Sequence, residues 1–170
     1  MNMKKLITLL FTGLSVLLTA CNSHSNTVVL PVKIYNHTSE AINFNMTNAT
    51  KKDWKGWELG YGGGGNEVAA YNTASGSTWR VPRKWDSNYT IFFQWAGNEE
   101  IYTTPKRAFV TLPKYEDKDL FYLAIHFFPN NSVKAFATNM TPDYPEYPYG
   151  WPQDDDLKRK KKIGKRHAAE

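Results

Sequence analysis

The stretch of sequence that decides the fold is FYLAIHFFPNNSVKAFAT, residues 121–138. Apolar and aromatic side chains occupy both faces of its first half, which is typical of a β-strand buried on both sides. The turn residues after Phe128 give way to Val133, Ala135 and Ala137, which again alternate in period two. The stretch therefore predicts two strands joined by a turn.

Shorter segments with the same alternation occur in the rest of the chain. They are centred on Ile34, Phe44, Trp79, Phe93 and Val110. Clusters of turn residues recur roughly every ten residues, and no window longer than about eight residues has a helical period. The pattern predicts an all-β fold, a single antiparallel β-sandwich, with its strands within about residues 27–140. We expect the first two strands to pair as a hairpin.

Two different segments follow the predicted strands. Residues 141–153 are rich in Pro and Tyr, and because Pro removes ladder donors they cannot form a central strand. We expect this segment to lie extended across the sandwich with its rings buried, so that the domain covers residues 27–153. Residues 154–170 are a charged tail, predicted to be solvated or, alternatively, to contact anionic lipid headgroups.

Composition is that of one globular domain, since 41% of the 170 residues are hydrophobic and 22% are charged. The net charge of +5 comes from the two ends, because residues 21–153 contain equal numbers of acidic and basic side chains. Nucleic-acid binding needs positive charge clustered on a folded face, so we expect no such partner. The single Cys excludes an intrachain disulfide, and the scattered histidines have no metal-ligand spacing. We expect neither a metal nor a cofactor.

The amino terminus has the three parts of a secretory signal peptide. Lys4 and Lys5 precede an apolar run over residues 6–18, which is too short for a comfortable membrane span. Leu-Thr-Ala then leads directly into Cys21 and resembles the bacterial lipobox. We therefore expect a cleaved signal peptide over residues 1–20 and lipidation of Cys21, the alternative being an ordinary signal peptide with an incidental Cys.

Residues 21–26 would then form a lipidated polar tether between the acyl chains and the domain. By similarity to enterobacterial sorting rules, the absence of Asp after the Cys favours the outer membrane. The expected location is the cell envelope, with the domain facing the periplasm.

Two motifs are candidates for binding a partner. Gly62, Gly63, Gly64 and Gly65 are consecutive, and the sequence after them lacks the helix and Lys-Ser/Thr pair of a phosphate-binding loop. They predict a flexible or left-handed loop, or a loop whose bare backbone a partner approaches.

The second motif is Trp-Arg-Val-Pro-Arg-Lys-Trp, residues 79–85, which sets three cations between two indoles. Trp and Arg are favoured interface anchors, so Arg80, Arg83, Lys84 and Trp85 are the candidate binding residues. The alternative is a buried Trp with its neighbouring cations extended into solvent.

Catalysis is not indicated. The chain contains no Gly-x-Ser-x-Gly and no His-Glu-x-x-His motif. His126 lies in an aromatic-rich strand, where a hydrogen-bonded core histidine is a better interpretation than a catalytic one. We expect no catalytic residues and no enzyme activity.

Taken together, the lipobox Cys, the Gly-rich run, Pro82-Arg83-Lys84-Trp85 and His126-Phe127-Phe128-Pro129 resemble a family of proteobacterial lipoproteins with a domain of unknown function. Many members have Cys residues between the glycines and Pro-Arg-Lys-Trp, and this chain has none there. Some members are encoded beside phospholipase effectors of the type VI secretion system.

The resemblance implies an immunity protein that occludes such an effector. The alternative is a structural or assembly lipoprotein of the envelope without a toxin partner. An enzyme acting on envelope glycans or lipids is a third and weaker hypothesis.

Overall fold

The computed structural model describes residues 26–48, 63–97 and 104–153, with the backbone alone for 63–66. Eight strands and one short 3-10 helix, Asp117–Asp119, occupy these residues. The strands are β1 Thr27–Asn36, β2 Ile42–Asn48, β3 Gly63–Val68, β4 Thr73–Pro82, β5 Thr90–Gly97, β6 Lys106–Thr111, β7 Tyr122–Phe128 and β8 Ser132–Thr138. The predicted signal peptide, Cys21 and the charged tail lie outside the described residues.

The strands form two four-stranded sheets that pack face to face. The first sheet has the order β4-β1-β7-β8 and the second has the order β3-β2-β5-β6. All pairs are antiparallel except β1 with β7, which is parallel. The predicted all-β sandwich is confirmed.

Phe127 lies at the centre of the core between the two sheets and is fully buried. Its ring centroid is 5.6 Å from that of Phe44, 5.6 Å from that of Trp95 and 6.2 Å from that of Phe93. These three rings belong to the opposite sheet, so Phe127 joins the two layers. Their positions follow from the period-two alternation, which directs every second side chain of a strand to one face.

The predicted hairpin between the first two strands is wrong, because β1 and β2 belong to different sheets. Buried Asn36, the last residue of β1, holds the crossing point between the layers. Its Nδ2 donates hydrogen bonds to the carbonyls of Glu40 at 2.8 Å and Val68 at 3.0 Å. Its Oδ1 accepts from the backbone N–H of Thr38 at 3.0 Å. The Asn36 side chain thus supplies hydrogen-bond partners to backbone groups that have no partner in a hairpin here.

The Pro- and Tyr-rich segment packs on the outer face of the first sheet, as predicted, but its rings are only partly covered: Tyr147 is buried, Tyr149 and Trp151 are half-buried and Tyr144 is exposed. The segment runs through successive turns instead of lying extended. The N–H of Tyr144 donates to Thr141 and that of Tyr147 donates to Tyr144, at 3.0 and 3.1 Å. These local bonds satisfy backbone groups that the four prolines exclude from a ladder.

Candidate functional site

The Arg80–Trp85 motif lies at the end of the sandwich where the chain enters the domain. The antiparallel register of β1 with β4 places Thr27 opposite Pro82. The N–H of Arg83 donates to the carbonyl of Asn26 at 2.8 Å, and Nη1 of Arg80 donates to Oγ1 of Thr27 at 3.2 Å. We call this end of the molecule the entry end.

The connection between β4 and β5, residues 83–89, is held by hydrogen bonds from aromatic side chains. Trp79 Nε1 donates to the hydroxyl of Tyr89 at 2.8 Å, and that hydroxyl donates to the carbonyl of Arg80 at 2.6 Å. Burial raises the pKa of Tyr89 to about 12, so its hydroxyl remains a donor at neutral pH. The indole of Trp85 donates to the carbonyl of Leu112 at 3.0 Å.

These bonds shape one wall of an open groove of about 540 Å³. Arg83, Lys84 and Trp85 form this wall, and residues 114–118, between β6 and β7, form the other. The hydroxyl of Tyr115 crosses between the walls and donates to the carbonyl of Pro82 at 2.7 Å. The groove is therefore built from two segments that are distant in sequence and fixed by side-chain to backbone bonds.

Both signs of charge surround the groove, because Glu116 and Asp117 lie among the cations. Lys118 forms an ion pair of 3.1 Å with Glu116, whose hydrogen bond raises the pKa of the lysine. Both side chains are exposed, so the pair contributes little to stability. Trp85 keeps 37% of its surface exposed. An aromatic side chain beside mixed charges gives a surface of the kind that protein interfaces use.

The glycine run is placed differently from the expectation. Gly63, Gly64 and Gly65 belong to β3 and pair with Met46, Asn45 and Phe44 of β2, so the prediction of a loop is wrong for them. Glycine is disfavoured in strands, but pairing with β2 holds these residues in the strand conformation. Gly62 lies outside the described residues.

The predicted binding residues consequently divide into two groups. Arg83, Lys84 and Trp85 line the groove together. The glycines of β3 and Arg80 of β4 instead lie on strands at the edges of the two sheets, and these two strands contact each other along one side of the sandwich.

A second cluster, on the outer face of the first sheet, surrounds His126. The imidazole stacks on Tyr35 with a centroid distance of 4.3 Å and an interplanar angle of 4°. Its Nδ1 is 2.9 Å from Nε2 of His37, and its Nε2 is 2.8 Å from the hydroxyl of Tyr147. Both ring nitrogens are thus engaged in hydrogen bonds, which leaves neither for a substrate or a metal ion.

The cluster keeps its histidines neutral. Burial, aided by the nearby His37, lowers the pKa of His126 to about 3. Burial also lowers the pKa of His37 below its usual value. A neutral imidazole hydrogen-bonded on both sides fits a structural role, in agreement with the interpretation of His126 as a core residue.

Sequence reasoning missed the second wall of the groove and the partner of His126. Residues 114–118 carry no motif, and nothing local shows that they approach Trp85. His37 follows the last residue of β1 and gives no signal of its own. The sequence did indicate that β7 is buried on both faces, which includes the face that carries His126.

Within the described ranges, no three His, Cys, Asp or Glu side chains are grouped to hold a metal ion. None of the helices described there combines the length and the apolar character needed to span a bilayer.

Comparison with known proteins gives a family match. The family model described as "Protein of unknown function (DUF3304)" matches residues 35–135. No curated protein and no solved structure matches the chain. The matched range runs from the end of β1 into β8 and contains the whole groove. The chain therefore belongs to the DUF3304 family of proteins of unknown function.

Proposed function

We propose that this protein is a lipoprotein of the bacterial cell envelope that binds a protein partner through the groove at its entry end. Acyl chains on Cys21 would hold it in the outer membrane with the domain facing the periplasm. The partner would be a secreted phospholipase effector of the type VI secretion system, whose access to lipid the bound domain blocks. The lipobox-like sequence and the family resemblance support the anchor and the class of partner.

The groove is the observation that carries the proposal. Its exposed Trp85 is held by the hydrogen bond to Leu112, so little side-chain freedom is lost when a partner covers the ring. Arg83 and Lys84 next to it are exposed and line the same groove. A rigid aromatic anchor beside Arg is the composition of interface hot spots.

The edge strands extend the proposed surface along one side of the domain. Gly62, Gly63, Gly64 and Gly65 would present backbone without side chains, and Arg80 on β4 would add a further cation. A partner that covers the groove and this side together would contact both groups of candidate residues.

Lipid anchoring gives occlusion a kinetic advantage. A tethered domain and a lipase that acts on the same bilayer meet in a thin layer, which raises their effective concentration. Occlusion requires no catalytic group in this chain.

The proposal predicts a reading frame for a secreted phospholipase beside the gene, and the test is calorimetric titration of the full-length protein with that phospholipase. Arg83→Glu combined with Trp85→Ala should abolish binding, while the thermal unfolding midpoint stays near that of the wild type. The matched control, Lys106→Glu with Tyr144→Ala, removes one cation and one exposed aromatic ring elsewhere and should bind normally.

Equal affinity of the groove variant and the control would remove the groove from consideration. Absence of any binding by the wild type, combined with an envelope defect in a strain lacking the gene, would favour the structural or assembly lipoprotein instead.

A further inference from the structure

Four large apolar side chains of the described residues are exposed: Val29, Trp85, Phe121 and Tyr144, with 48%, 37%, 70% and 55% of their surfaces exposed. The first three lie toward the entry end. Val29 lies two residues after the start of β1, opposite Arg80. Tyr144 alone belongs to the segment that covers the first sheet.

Phe121 lies at the same end because β7 runs parallel to β1. The register places Val32 opposite Leu123, so the start of β7 is level with the first half of β1. Phe121 immediately precedes that start, and its neighbour Lys118 reaches into the groove region. The phenyl ring of Phe121 meets the ring of buried Tyr122 edge to face at a centroid distance of 6.4 Å, and 70% of its surface remains exposed.

The short segment between Cys21 and the domain limits the distance between the entry end and a membrane that holds Cys21. Asn26, bonded to Arg83, is the first described residue, and it lies five positions after an anchor at Cys21. Five extended residues span at most about 18 Å. The opposite end of the sandwich, near Ser39, lies about 30 Å from the entry end, which is the length of the ten-residue β1.

From these observations we infer that the entry end rests on the lipid bilayer, with Val29 and Phe121 contacting the headgroup region and the groove opening at the lipid surface. The inference depends on the anchor in the proposed function. Amphipathic protein surfaces bind bilayers through such apolar side chains flanked by cations.

Apolar contact, more than anionic-lipid attraction, would drive this docking. The cations at the entry end, Arg80, Arg83, Lys84, Lys114 and Lys118, are accompanied by Asp86, Glu116, Asp117 and Asp119. Because the two signs nearly cancel, the orientation should depend weakly on salt and on anionic lipid. A partner in the groove would then be one that itself acts at the bilayer surface.

The test uses the acylated full-length protein reconstituted in vesicles of phosphatidylethanolamine and phosphatidylglycerol. Once Cys21 is acylated, an introduced cysteine is the single free thiol for a fluorophore. Ser87→Cys marks the entry end and Ser39→Cys marks the opposite end, and both serines are exposed. Nitroxide-labelled lipids should quench the label at position 87 severalfold more strongly than the label at position 39.

Adding Phe121→Ser and Val29→Ser to the Ser87→Cys protein should reduce this quenching toward the level at position 39. Tyr144→Ser, which removes an exposed aromatic ring from the segment that covers the first sheet, should leave it unchanged. Equal quenching at both positions, or loss of the difference at high salt or in phosphatidylcholine vesicles, would overturn the inference. Failure of the protein to float with the vesicles would instead overturn the anchor.

Discussion

Acid should destabilise the domain through His126, because the native structure holds this imidazole neutral. Its native pKa is about 3, against an ordinary value of 6.5 in the unfolded chain. Between these two pKa values the unfolded state binds a proton at His126 and the native state does not. The free energy of unfolding therefore falls as the pH drops below 6.5, until the native pKa is reached. Between about pH 7.5 and pH 5 the loss from this one group is about 2 kcal/mol.

Urea unfolding followed by tryptophan fluorescence at these two pH values measures the loss. His126→Gln is the comparison, since Gln fills the site without titrating. The variant is less stable overall, but the difference between its two unfolding free energies should shrink by about 2 kcal/mol. Burial lowers the pKa of His37 as well, so His37 contributes to the pH dependence of both proteins and leaves the difference to His126. An unchanged pH dependence in His126→Gln would refute the assignment of a buried, neutral imidazole.

Two further substitutions test the core and the crossing between the sheets by the same unfolding measurement. Asn36→Ala leaves buried carbonyls such as that of Val68 without a donor and should cost about 2–3 kcal/mol, whereas exposed Asn139→Ala should change stability by less than about 0.5 kcal/mol. Phe127→Ala should cost about 3–5 kcal/mol by leaving a cavity between the layers, whereas Phe121→Ala, on a ring that is 70% exposed, should be nearly neutral. Equal losses within either pair would contradict the burial described here.

The strands could be predicted because their signals are local. The alternation over residues 121–138 became β7 and β8, since period two alone decides which side chains face the core. Which strands become neighbours is a different question. The parallel pairing of β1 with β7 and the crossing at Asn36 depend on contacts between distant segments, and period two contains no information on them.

For the same reason, only one wall of the groove could be predicted from the sequence. Arg83, Lys84 and Trp85 were recognised from residue type, because cations beside indoles are unusual within one short segment. The opposite wall around Tyr115 could not be predicted, because the hydrogen bond from Tyr115 to the carbonyl of Pro82 joins residues far apart in the chain. The glycines were misread because glycine has weak preferences and takes the conformation that its neighbour strand imposes.

The parallel pair β1–β7 also determines when the domain can fold. β1 is the first strand of the described residues, yet the neighbour that makes it a central strand arrives roughly 90 residues later, and such long-range pairing slows folding. If the protein is exported as proposed above, its domain would stay incomplete until β7 has left the translocation pore. Slow closure of this kind would keep the polypeptide able to pass the pore and would delay the native state until nearly the whole domain has been delivered.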